Sequence, residues 1–70
     1  MLTKRECECL LAVADGKVTA EIAIDLDVSD RTIDHHIGNA MRKLGVRTRS
    51  AAVVQALGRG FITLDEQGDP

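Results

Sequence analysis

Between Ser29 and Leu44 the chain reads SDRTIDHHIGNAMRKL, and its apolar positions Ile33, Ile37, Ala40, Met41 and Leu44 recur at i, i+4, i+7, i+8 and i+11. That is one face of a helix at the period of about 3.6 residues, and such a face must bury against something. The opposite side of the same wheel carries Arg31, Asp34, His35, Gly38 and Arg42, with Thr32, His36, Asn39 and Lys43 along one flank. A rod gripped from one side and lined on the other with donors, acceptors and cations has the form of an element presented to a groove in DNA.

The same pattern reading extends over the rest of the chain. Thr3, Lys4, Arg5 and Glu6 form a capping box ahead of an apolar-periodic run. A first helix is predicted over 4–15, with Cys9, Leu10 and Val13 inward, Ala14 beside them, and Gly16 as its left-handed stop. Cys7 and Leu11 make a second apolar pair outside that stripe, either partly buried or a docking face. Thr19 is the expected cap of a short second helix over 20–26, with Ile22, Ala23 and Leu26 inward. Asp27, Val28 and Ser29 follow: Asp tolerates the left-handed conformation of a tight turn, Val28 plugs the corner, and Ser29 caps the third helix. Two helices joined this closely match a helix-turn-helix.

The third helix is expected to end near Leu44 with Gly45 beyond it, and Thr48 or Ser50 to cap a fourth helix reaching about 57 or 59. Ala51, Ala52, Val53, Val54, Ala56 and Leu57 leave that fourth helix almost no polar side, so it must be covered on more than one side. One side packs on the domain; a second copy about a two-fold axis is the simplest cover for the other. Gly58 and Gly60 break the helix, and Phe61, Ile62 and Leu64 return the chain to the core. The expected organisation is one domain over 1–64 and an acidic C-terminal tail over 65–70.

Composition changes this picture in two ways. The single aromatic residue, Phe61, makes the core aliphatic and argues against a binder that stacks single-stranded bases on aromatic platforms. The net charge of −2 has the wrong sign for a nucleic-acid binder, but its distribution does not: from Arg31 to Arg59 there are six basic and one acidic side chains, a net of +5, against three basic and ten acidic, a net of −7, elsewhere. Screening limits electrostatic reach to about 10 Å at 0.1 M salt, so the local face decides.

Seventy residues bury only about 60% of their unfolded surface, and partners help a domain of that size. No apolar run approaches the roughly eighteen residues of a membrane span, and no signal-peptide core opens the chain, so a cytoplasmic location and no membrane partner are expected. Cys7 and Cys9 diverge on a helix and read as packing residues. With no CxxC or HxxxH spacing, His35 and His36 do not make a metal site with them, and no cofactor is expected. The chain holds no nucleophile–base pair, paired carboxylate set or glycine-rich phosphate loop, which argues against an enzyme.

These residues together resemble the LuxR-type helix-turn-helix domain of quorum-sensing regulators and of response regulators of the NarL/FixJ kind. The likeness covers 2–62 and is carried by Leu2-Thr3, Arg5-Glu6, Leu10, Gly16-Lys17, Glu21-Ile22-Ala23, Leu26, Val28-Ser29, Thr32-Ile33, His36, Asn39, Lys43-Leu44-Gly45-Val46, Arg49 and Ala52. Sigma-factor region 4 shares the Arg-Glu start and the Glu-Ile-Ala helix, but it does not usually carry His36 and the Lys43-Leu44-Gly45-Val46 segment. The resemblance implies an all-α, four-helix domain in which the second and third helices form the motif and the fourth dimerises, here through Ser50, Val53, Val54 and Leu57. It implies base contacts from the positions of Asp34, His35 and Gly38; with an acid and a glycine among these, His35 and Arg42 are expected to carry the direct readout, or DNA shape to matter more. Phosphate contacts fall to Ser29, Arg31, Thr32 and Lys43.

The partners so implied are double-stranded DNA, a second copy, an upstream sensory domain in a longer parent chain, and RNA polymerase. The function so implied is sequence-specific DNA binding in a bacterial transcriptional regulator, expected to be of quorum-sensing type on the leaning of the Lys4–Leu10 and Thr19–Ala23 stretches. A two-component effector domain and a dimerising antagonist without specific DNA binding are the alternatives. Two readout positions depart from the family habit of placing cations there: Asp34 is an acid, and Gly38 has no side chain. His36, bordering the buried face, is expected to tie the helix to a neighbour by a hydrogen bond.

Overall fold

The computed structural model describes residues 1–64, so the expected tail over 65–70 lies outside the described residues. Four α-helices, and no strands among the described residues, make up the fold: α1 (Lys4–Ala14), α2 (Thr19–Leu26), α3 (Asp30–Leu44) and α4 (Arg49–Gly58). The all-α, four-helix architecture is the expected one. α3 is the spine, packing on each of the other three, while α1 also packs on α4.

Two apolar clusters sit on either end of that spine. Ile33 and Ile37 from the first half of α3 join Cys9 of α1 and Ile22 and Ala23 of α2. Ala40 and Leu44 from the second half join Leu2, Leu10 of α1, Ala52 and Ala56 of α4, and Ile62. Met41 packs against both clusters, so the core is continuous along α3. Val28 plugs the corner of the α2–α3 turn, as its position between two caps requires.

The helix ends follow from local chemistry. Thr3 and Glu6 exchange their capping-box bonds at 2.9 and 3.1 Å, Ser29 caps α3, and Thr48 rather than Ser50 caps α4. All four C-termini close in the Schellman pattern, in which the residue after a left-handed one donates back to a carbonyl of the last turn: Lys17 to Ala12, Val28 to Ala23, Val46 to Met41 and Phe61 to Ala56. Each needs a left-handed residue, supplied by Gly16, Asp27, Gly45 and Gly60. Asp27, at φ 58°, is the one non-glycine among them.

Three expectations are corrected. Thr19 does not cap α2 but is its first residue; Val18 holds the cap position, and its N–H donates to Glu21 at 2.9 Å. The Thr19 hydroxyl is engaged instead by α3 and α4. α1 ends at Ala14, one residue short of the expected end, because Gly16 turns left-handed at φ 86° and the Lys17 N–H returns to the Ala12 carbonyl. His36 is half-buried, but its side chain makes no hydrogen bond to another described residue; its ring lies tilted beside that of His35, centroids 6.3 Å apart.

Candidate nucleic-acid interface

The division of α3 is sharp. Ile33, Ile37 and Ala40 are at most 1% exposed, while Arg31, Asp34, His35 and Arg42 all face solvent. Gly38 and Asn39 lie between them, partly covered. At the start of the helix the Ser29 hydroxyl accepts the Thr32 N–H at 3.1 Å and lies 3.0 Å from the Thr32 hydroxyl. Both hydroxyls therefore sit at the positive end of the helix dipole, where an anion is favoured.

Along the front, His35, Asn39 and Arg42 form one row at i, i+4 and i+7. Asn39 Nδ2 is 3.2 Å from His35 Nε2, and the Arg42 guanidinium donates to the Asn39 carbonyl oxygen. The sequence places Asn39 on the flank of this face, and its spacing from His35 and Arg42 is the signal that links the three.

Two of the six cations in the Arg31–Arg59 stretch are neutralised within the chain. Lys43 Nζ lies 2.9 and 3.1 Å from the two oxygens of Glu6, a carboxylate only 3% exposed. Burial alone pushes the Glu6 pKa up, but the Thr3 N–H and the Lys43 ammonium outweigh it and hold the carboxyl below its ordinary value. Arg49 donates from Nη2 to Asp34 Oδ1 at 2.6 Å and from Nη1 to the Thr19 hydroxyl at 2.8 Å, and that hydroxyl lies 3.4 Å from the same Asp34 oxygen. This triad joins the first residues of α2 and α4 to the second turn of α3. Both charged partners are well exposed, so the ion pair contributes only about 0–1 kcal/mol to folding. Arg31, Arg42, Arg47 and Arg59 have no carboxylate partner among the described residues.

A model of the family described as bacterial regulatory proteins, luxR family, matches residues 1–56. The chain belongs to that family. It is 48% identical over 64 residues to the spore germination protein GerE of Bacillus subtilis (strain 168), covering 91% of this chain and 86% of GerE. It is 46% identical over 63 residues to the quorum sensing-dependent transcriptional regulator RpaR of Rhodopseudomonas palustris, and 36% identical over 62 to the regulatory protein DegU of Brevibacillus brevis. The chain spans about a quarter of the length of those two relatives, 26% in each case. A solved structure of the transcription factor GerE superposes with a TM-score of 0.86 at 39% identity, covering 91% of this chain and 96% of that one.

The luxR-family fold thus makes this chain the helix-turn-helix, DNA-binding domain of a transcriptional regulator, with α2, the three-residue turn and α3 as the motif. Within it, the expected base-reading positions Asp34, His35, Gly38 and Arg42 lie on one side of α3, and Ser29, Arg31 and Thr32 cluster at its start. Lys43 stands apart at the far end, turned to α1. On α4, Ser50 and Val54 face solvent, while Val53 and Leu57 are half-buried against the domain's own core. Nothing in the sequence ties Arg49 and Thr19 to Asp34, because that link spans three helices and has no local spacing. No cluster of three or more metal-ligating side chains occurs among the described residues, and no helix there is long and apolar enough to cross a membrane.

Proposed function

We propose that this domain binds a roughly palindromic duplex as a homodimer, each copy laying α3 into the major groove of half-sites about one turn, roughly 10 bp, apart. The observation that carries the reading is the two-sided α3, with an enclosed aliphatic back and a front of Arg31, Asp34, His35 and Arg42 in solvent. On this reading Asp34, His35, Gly38 and Arg42 meet base edges. Ser29, Arg31, Thr32 and Lys43 meet phosphates, which set orientation without reading sequence. Ser50, Val53, Val54 and Leu57 form the two-fold contact, and the exposure of Val54 at 65% supports that placement.

The setting proposed is cytoplasmic transcription control of quorum-sensing type, supported by the 46% identity to RpaR, with an upstream sensory domain and RNA polymerase as further partners. A mobility-shift titration against a duplex pool at low and moderate salt tests the core of this reading. Binding should weaken steeply with salt as phosphate contacts release counterions. A complete lack of shift at low salt would remove it and favour the dimerising antagonist, a reading motivated by Gly38 and the acidic remainder of the chain. Asp34 motivates that reading as well, and in that case the chain should still associate with a full-length relative.

A further inference from the structure

Asp34 is the awkward residue on the proposed reading surface: an acid facing a polyanion. Its surroundings resolve the awkwardness. Both intramolecular donors, Arg49 Nη2 at 2.6 Å and the Thr19 hydroxyl at 3.4 Å, converge on Oδ1, and Oδ2 has no hydrogen-bond partner among the described residues. One oxygen is tied down and the other is presented. The guanidinium, itself fixed at 2.8 Å on Thr19, also offsets the charge that would otherwise repel phosphates.

From this we infer that Arg49 and Thr19 are positioning residues that turn Asp34 into a fixed, charge-compensated hydrogen-bond acceptor, selecting cytosine through its 4-amino group at one position of each half-site. In the major groove cytosine alone presents only an amino donor, the natural mate of a carboxylate that has no proton to give. The inference rests on α3 as the groove-binding helix and adds which base one of its residues selects and what holds that residue.

Selection of sites from a randomised duplex pool by the full chain and three variants tests it. The unaltered protein should enrich sites with one fixed cytosine per half-site, whose replacement lowers binding about tenfold. In Asp34→Asn, Arg49 and Thr19 retain the amide oxygen and the amide nitrogen points outward as a donor. The preference at that position should then move away from cytosine to a base with a major-groove acceptor, adenine, guanine or thymine, with the rest of the site unchanged. Arg49→Gln should flatten the preference there, and Arg49→Lys should restore part of it.

Asp34→Asn enriching the same sites as the unaltered protein would overturn the inference while leaving groove binding intact. So would an Arg49→Gln variant that binds every sequence equally weakly with its preference unchanged. Should Arg49→Gln fold poorly, Asp34→Asn, an isosteric change at an exposed position, still decides the matter. If the unaltered protein enriches nothing, the groove-binding reading fails and the inference with it.

Discussion

Glu6 has two roles, and only one of them is local. Its carboxylate closes the capping box of α1 and also receives Lys43 from the last turn of α3, while almost wholly enclosed. Because its folded pKa lies below the unfolded one, the stability it contributes is complete above the unfolded value and is lost as pH falls through the folded value. Glu6→Gln should lower stability at neutral pH by about 1–3 kcal/mol and make the acid side of the stability curve shallower. Urea unfolding across the acid range checks both; a curve parallel to that of the unaltered protein would contradict the linkage. Gly38 is the second residue of this kind. A Cβ built there meets nothing within 4 Å and its φ is not positive, so the domain's own packing does not require glycine. Gly38→Ala should therefore stabilise the free domain by about 1 kcal/mol. Weaker duplex binding by the same variant, with a raised melting temperature, would mark the position as one where backbone approaches base. The two cysteines take no part in such chemistry: burial raises both thiol pKa values, Cys9 is fully enclosed, and Cys7 Sγ contacts the Phe61 carbonyl at 3.7 Å.

At the scale of elements, α4 answers the question its sequence raised. A helix with so little polar surface looks over-apolar, but Ala52 and Ala56 sink into the core, Val53 and Leu57 are half covered, and only Val54 is left largely in water. The unpartnered surface is narrower than the apolar pattern implies, a ridge on Val54 beside Ser50. Val54→Glu should leave folding within about 0.5 kcal/mol of the unaltered domain, since it removes no core contact. It should also shift the proposed dimer toward monomer in sedimentation. An unchanged dimer, or a monomer before and after, would move the two-fold contact elsewhere. Legibility also differed between helix ends. The capping box, the Ser29 cap, the left-handed Asp27 and the Gly45 stop were all readable, because each depends on residues within one turn. The start of α2 departs from the sequence pattern because Thr19 has two possible uses, and in the fold its hydroxyl bonds to Arg49, thirty positions along the chain, while Val18 takes the cap position.

For the whole molecule the relevant quantity is where uncompensated charge lies. The +5 counted along the Arg31–Arg59 stretch overstates the free cations, since Lys43 is shared with Glu6 and Arg49 with Asp34. Arg31, exposed at the start of α3 beside Ser29 and Thr32, is thus the cleaner probe of phosphate contact than Lys43, whose removal also strands a buried carboxylate. Arg31→Ala should weaken binding to all duplexes about equally and reduce the slope of log affinity against log salt by about 1. A loss confined to one sequence would make Arg31 a base reader instead.

Sequence alone determined the four helices, the aliphatic back of α3, the turn that joins it to α2 and the polar face opposite, because periodicity and capping act over one or two turns and need no knowledge of neighbours. Tertiary structure decided which of those polar groups remain at liberty. Glu6 with Lys43, and Thr19 with Asp34 and Arg49, meet only when α1, α2 and α4 close around α3, and long-range ion pairs leave no periodic trace in a chain that has yet to fold.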